Sequence, residues 1–241
     1  MAGLFIGTSG WNYDEWRSGF YAGVKRRDRL AHYAGCFDTV EVNATFYRLQ
    51  TTETLERWRE ETPGDFRFAI KGNRYLTHNK KLNDPAQPID LERRNARPLG
   101  DKLAVVLWQL PGNLEKNLER LRRFCDALRA WDDVRHAIEL RHTSWFDNET
   151  AECLDAHGIA NCQSDAADWP MWPAVTGDLV YIRLHGHTRT YASRYSTAAL
   201  KRWAASISQW RRAGKTIHVY FDNTAEGAAP NDARKLRELL A

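Results

Sequence analysis

About eight short apolar runs recur along this chain, separated by longer amphipathic stretches, and this rhythm constrains the fold more than any other feature. The runs are Leu4 to Gly7, Thr39 to Asn43, Phe66 to Lys71, Leu103 to Gln109, His136 to Arg141, Ile159 to Asp165, Asp178 to His185 and Ile217 to Asp222. Helical spacing follows most of them. Leu118, Leu121, Phe124, Cys125 and Leu128 make one apolar stripe, and Leu200, Trp203, Ile207 and Trp210 make another. Repeated βα units of this kind build a parallel sheet, and 241 residues suit one (β/α)₈ barrel, which takes roughly 250. The expectation is therefore an α/β protein with a TIM-barrel fold, in a single domain over residues 1–241. Asn83 to Pro88 and Trp169 to Pro173 carry breaker residues, which makes the third and sixth connections irregular.

Alternation within the strands sorts side chains between the helical ring and the barrel axis. Val40 and Val42 face outward while Glu41 and Asn43 face inward, and Ile138 and Leu140 leave Ala137, Glu139 and Arg141 inside. In the seventh run Tyr181, Arg183 and His185 point inward, and in the eighth His218, Tyr220 and Asp222 do so. The same parity places Lys71, Gln109 and Asp165 inward at the ends of their strands. The upper lumen is then polar, at the end of the barrel where active sites of this fold are built.

The strand ends also carry a resemblance. GTSGWNYDEWRSGFY, VEVNATFYRLQ, FRFAIKGNRYLTH, LWQLP, ELRHTSWF, DLVYIRLHG and VYFDN resemble, in this order, the motifs of the YecE-like family, a domain of unknown function. The likeness runs from about Ile6 to Leu240 and is weakest between about Asn79 and Leu99. It implies a TIM barrel and no particular reaction. Asp222-Asn223 stands where many members of that family have two asparagines.

Three constellations carry chemistry. Glu139, Asp165, His185 and Asp222 come from four successive strands and could converge on a divalent metal, a layout similar to metal-dependent sugar isomerases and apurinic endonucleases at the level of fold alone. The competing reading is that Glu41, Glu139, Asp165 and Asp222 neutralise Lys71, Arg141 and Arg183, because buried charges are normally paired. The cationic set Lys71, Arg141 and Arg183, with His78, His142, His185 and His187 nearby, suits a phosphate or carboxylate gripped by parallel hydrogen bonds. The third set is aromatic, and of it Trp11, Tyr47 and Trp145 are the residues chosen to stack on a ligand, with Asn43 and Gln109 as polar contacts.

Glu41, Glu139 and His185 are the groups assigned to proton transfer. The leading expectation is an enzyme acting on a phosphorylated or otherwise anionic, polyhydroxylated small molecule or nucleic-acid fragment. The alternative is a non-catalytic binding protein for single-stranded or damaged nucleic acid. A formal charge of +4 permits an anionic ligand without demanding one. No P-loop, G-x-S-x-G, H-E-x-x-H or dinucleotide fingerprint is present, so no nucleotide cofactor is implied. Cys36, Cys125, Cys153 and Cys162 are far apart in sequence and lack zinc-ligand spacing, which reads as reduced thiols. The opening MAGLFIGTSG lacks a signal-peptide pattern, and no apolar run is long enough to span a bilayer; the expectation is a cytoplasmic protein with no membrane association.

Overall fold

A computed structural model describes residues 3–241, so Met1 and Ala2 of the expected domain and of the opening segment lie outside it. Eight strands form one parallel sheet: β1 (Leu4–Thr8), β2 (Thr39–Val42), β3 (Arg67–Lys71), β4 (Leu103–Gln109), β5 (Arg135–Glu139), β6 (Ala160–Ala166), β7 (Leu179–Gly186) and β8 (Thr216–Phe221). From β2 to β8 each strand pairs with its sequence neighbour and β8 pairs with β1, giving the order β1-β8-β7-β6-β5-β4-β3-β2. The seam between β1 and β2 is held by the parallel bridge Ser9 to Glu41 and by the Gly10 amide donating to the Glu41 carbonyl at 2.7 Å. The result is a nearly closed TIM barrel.

The outer ring comprises α1 (Arg29–Ala34), α2 (Ala44–Tyr47), α3 (Thr52–Glu60), α4 (Ala86–Ala96), α5 (Leu118–Leu128), α6 (Asn148–Ala156), α7 (Thr197–Arg212) and α8 (Ala228–Leu240). Polar side chains start several of them: Thr51, Asn117, Asp147 and Ser196 each accept a hydrogen bond from a first-turn amide, a cap that contributes about 1 kcal/mol. On α5 the stripe Leu121, Phe124, Cys125 and Leu128 is buried, as its spacing requires. The sixth connection contains no helix, in keeping with the breakers at Trp169 to Pro173. The third begins with a π-helical turn, Tyr75–Asn79, and then takes Lys81, Leu82 and Asp84 through positive φ before α4 starts.

Inside the barrel two environments are stacked. The lower part is packed by Ala69, Val105, Leu107, Ala137, Ala160, Cys162, Leu179, Tyr181 and Tyr220, with Phe5 stacked on His218 at 4.6 Å beneath. The upper part is ionic. The parity read from β2, β3, β4, β5, β7 and β8 holds, but β6 differs: Ala160, Cys162 and Ser164 face the axis, and Asp165 faces α7.

The seam leaves no room for a side chain at Gly7, where a Cβ would stand 2.1 Å from the Thr39 carbonyl oxygen and 2.8 Å from the Tyr33 hydroxyl. Gly7→Ala must therefore push β1 away from β2, and urea unfolding should show a loss of about 1–3 kcal/mol. An unchanged unfolding midpoint would mean that the seam is slack.

Candidate functional site

Every strand delivers a polar group to the C-terminal end of the barrel, and most of them meet at one guanidinium. Arg183, on β7, is 1% exposed. Its Nε donates to both oxygens of Glu41 at 3.2 and 3.0 Å, and Nη2 donates to Glu41 Oε1 at 2.8 Å, to Asp222 Oδ2 at 3.0 Å and to Ser9 Oγ at 3.3 Å. Nη1 donates to Glu139 Oε2 at 2.8 Å and to His185 Nε2 at 3.2 Å. One cation thus binds three carboxylates drawn from the ends of β2, β5 and β8. Burial alone would lower the pKa of Arg183, yet these three anions hold it well above the ordinary value.

The carboxylates differ in what else they touch. Glu41 is fully buried and also receives the hydroxyls of Ser9 and Tyr181, the latter at 2.7 Å, so its oxygens are occupied and its place is that of a support under Arg183. Glu139 receives Arg141 Nε at 2.7 Å and Ser164 Oγ at 3.4 Å on Oε1. Burial would raise its pKa, but Arg141, Arg183, His185 and Lys71 together hold it well below the usual carboxylate value. Asp222 is likewise lowered, against burial, by Arg183 and His185.

His185 is fully buried, and burial first, then Arg183, lowers the pKa of its imidazole, which favours the neutral form. Because Nε2 accepts from Arg183, the proton belongs on Nδ1, which lies 3.0 Å from Asp222 Oδ2 but off the line that a well-formed hydrogen bond needs. The ring sits under Trp169, 4.9 Å between centroids, and Tyr191, 5.7 Å away.

Two cations at the mouth are not consumed in this way. Lys71, at the end of β3, is 9% exposed, and its Nζ lies 4.2 Å from the centroid of the Phe46 ring. Among the described residues it has neither an ion-pair nor a hydrogen-bond partner. Burial, then the nearby Arg183, pulls its pKa down to about 8. Arg141 spends Nε on Glu139 and lays its guanidinium 4.0 Å over Trp169, leaving both Nη groups without a protein acceptor among the described residues. His78, on the π-helical turn, packs edge-on against the other side of this cluster at Phe46, 5.0 Å between centroids. Its pKa falls to about 4 through burial and the positive charges of Lys71, Arg74 and Arg141.

Other expected residues are placed as follows. Gln109 faces inward beside Glu139 with its amide on the Leu110 carbonyl. Asn43 donates to Ser9 Oγ at 2.7 Å while its own buried Oδ1 lacks a partner. Tyr47 is 68% exposed. Trp145 is a correction: it is buried, and its indole N–H is spent on the Leu114 carbonyl at 2.7 Å, so it packs the loop rather than offering a stacking face. Asp165 is the second correction. It binds His187 Nδ1 at 3.1 Å and Trp203 Nε1 at 3.4 Å on the helical side of β6, and so leaves the expected metal quartet. The remaining three, Glu139, His185 and Asp222, do not surround an open point; the guanidinium of Arg183 stands where they converge, and both carboxylates are already committed to it.

Sequence reasoning missed Ser9 and Ser164, whose small hydroxyls carry no pattern beyond their position at strand ends. It also missed a cluster in the outer ring. Cys125 on α5 and Cys153 and His157 on and after α6 each offer a ligand atom within 4.8 Å of the others, and the Cys125 thiol pulls that of Cys153 below its usual pKa. Sequence spacing could not reveal a meeting that depends on how two helices pack.

A family model described as "Protein of unknown function DUF72" matches residues 5–241. The chain belongs to this family. Among its relatives, the UPF0759 protein YunF of Bacillus subtilis (strain 168) is 24% identical over 268 residues, covering 98% of this chain and 94% of that protein. The UPF0759 protein YecE of Escherichia coli (strain K12) is 30% identical over 145 residues, 59% of this chain and 50% of that protein. A DUF72 family protein of Thermotoga maritima MSB8 superposes with a TM-score of 0.88 at 28% identity over 99% of both chains. One from Enterococcus faecalis V583 gives 0.83 at 21% identity over 98% of this chain and 95% of that one, which speaks to fold alone.

Removing Arg183 from this DUF72 barrel would leave three buried carboxylates facing one another. Arg183→Met should cost at least about 3–5 kcal/mol or prevent folding. A near-neutral effect on unfolding would show that the carboxylates pair elsewhere. In the unmodified protein, ¹⁵N spectra of the imidazoles should show His185 still neutral, with its proton on Nδ1, at pH 6.5, where an ordinary histidine is half protonated.

Proposed function

We propose that this barrel is an enzyme acting at its C-terminal mouth on a phosphorylated or otherwise anionic, polyhydroxylated small molecule or nucleic-acid fragment. The observation that carries the reading is the imbalance in donor use. Arg183 is saturated by protein, whereas Lys71 Nζ and the Nη groups of Arg141 stand without protein partners beside the same network. Three carboxylates and three cations balance in charge, so these free donors reflect geometry rather than an excess of positive residues. An anion between Lys71 and Arg141 would complete their hydrogen bonding.

In this reading Glu139, ionised and touching Arg141, is the proton acceptor next to the bound anion. His185 holds Asp222 and Arg183 in place and moves a proton only when the cover formed by Trp169 and Tyr191 opens. Barrel interiors that bind nothing are filled with branched aliphatic side chains, and the ionic upper layer departs from that pattern.

One observation favours the non-catalytic alternative. A groove of about 700 Å³ beside the ends of β1 and β2 is bordered by Arg26, Arg27, Arg48 and Arg57, with Trp11 and Asn43 in its wall. Four arginines and two indoles, Trp11 and Trp58, suit a single strand of nucleic acid.

Two measurements separate the readings. Thermal-shift titration with sugar phosphates and nucleoside monophosphates should raise Tm, and Arg141→Ala should abolish the shift while lowering the ligand-free Tm only modestly. A single-stranded oligonucleotide, if the groove is its site, should bind with a slope of log K against log salt of roughly −3, four phosphates at about 0.7 each. Binding of the oligonucleotide with that slope, unaffected by Arg141→Ala and without any response to the phosphates, would move the function to the groove and overturn the mouth as the site.

A further inference from the structure

The same mouth offers a nucleophile. We propose that Lys71 is a covalent catalytic residue whose amine forms a Schiff base with the carbonyl carbon of an anionic aldehyde or ketone. This rests on the reading of the mouth as an active site and narrows its substrate class.

The argument begins with what surrounds the amine. A lysine in a barrel lumen normally finds a carboxylate, and three are present here, yet all three have turned to Arg183. Lys71 Nζ instead faces the ring of Phe46 at 4.2 Å. Desolvation and a neighbouring guanidinium are the two conditions that release a lysine from its proton, and Lys71 meets both. At pH 7 about a tenth of the molecules would carry the neutral amine, against fewer than about one in a thousand for an ordinary lysine. Arginine at this position could bind an anion equally well and could not do this chemistry.

Fixed neighbours supply the rest. Arg141 presents free Nη donors, and Arg74 and His78 lie around the same phenyl ring, with the Arg74 guanidinium carbon 5.9 Å from its centroid. An anionic group on the substrate would sit among them and hold the carbonyl near Nζ. Glu139 exerts the strongest pull of any carboxylate on the amine, so it is the carboxylate assigned here to receive the substrate proton.

The steps balance with water alone. The Nζ lone pair forms a bond to the carbonyl carbon while the C=O π pair moves to oxygen, which takes a proton as the amine loses one. The hydroxyl then takes a second proton from solvent and leaves as water while the nitrogen lone pair forms C=N, giving the protonated imine. The protonated imine withdraws electrons from the adjacent carbon, so a C–H bond there breaks, with its proton going to Glu139 and its electron pair into the C–C=N system. Reprotonation and addition of water reverse the sequence and return the amine. No oxidant or reductant enters. The reaction class is proton transfer at the carbon next to a carbonyl.

The test traps the imine. Protein would be incubated with D-glyceraldehyde 3-phosphate or, in parallel, D-glyceraldehyde, reduced with sodium borohydride and mapped by tryptic mass spectrometry. Lys71 should be modified ahead of the surface lysines, at a rate that levels off above about pH 8, and at least tenfold faster with the phosphorylated aldehyde. Lys71→Arg should remove that adduct alone. Lys71 left unmodified while surface lysines react, or reacting with the pH profile of an ordinary lysine, overturns the proposal. If sugar phosphates still raise Tm in that case, the anion site stands without the covalent step. If Lys71 is trapped by both aldehydes at equal rates, the amine is nucleophilic but the anionic substrate class is wrong.

Discussion

The upper half of this barrel depends on one buried guanidinium. Arg183 ties the end of β7 to residues 142 and 44 positions away, in Glu41 and Glu139, and to Asp222 beyond β8. Desolvating four charges is costly, and the network offsets that cost only because nearly every lone pair and N–H within it is matched. It therefore tolerates little displacement of any of its strands. A packed layer of aliphatic side chains would close the barrel at lower risk, so the ionic layer is better understood as a means of fixing side chains at the mouth than as a source of stability. Glu41, Ser9 and Tyr181 fix Arg183; Arg183 in turn fixes Glu139, His185 and Asp222.

How much of this is legible in the sequence depends on contrast. Strands such as DLVYIRLHG alternate aliphatic with polar residues, so Arg183 and His185 fall inward without ambiguity, and the same holds for Glu139 and Asp222. In β6 that contrast vanishes. Asn161, Gln163, Ser164 and Asp165 are all polar, the inward Ala160 and Cys162 are small, and the register against β7 shifts between Asp165 and Ala166. A period of two cannot be read from such a strand, which is why Asp165 was expected in the lumen and lies against Trp203 instead. Trp145 fails for another reason. An indole after a strand can stack on a ligand or fill the space under its loop, and only the Leu114 carbonyl, 31 residues away, decides it.

The identities of individual charges were legible, but not their partners. Composition at the strand ends allows a metal held by acids and histidine or a set of ion pairs, and the sequence carries nothing that ranks one acid's preference for Arg183 over another's. Nor could it show that Lys71 would be the residue left over. That outcome follows from reach: Arg183 on β7 has five donors and occupies the centre, whereas Lys71 enters from β3 and is turned onto Phe46 of α2.

The segment after Lys71 gives that leftover amine its surroundings. A π-helical turn adds a residue to the helical ladder and commonly marks a functional site, and here it brings His78 to the ring that Lys71 covers. Three further non-glycine residues at positive φ follow within six positions, a local departure that the flanking β3 and α4 must hold in place. The product is a group of like charges, Lys71, Arg74, His78 and Arg141, gathered on the side of the mouth away from the carboxylates that have turned to Arg183. Two of them respond by giving up protons, since His78 falls to about 4 and Lys71 to about 8. An anion arriving from solution would reverse that response by favouring the protonated forms. On the reading proposed above, anion binding and proton uptake at this mouth would be linked, because a negative charge placed beside His78 and Lys71 favours their protonated forms.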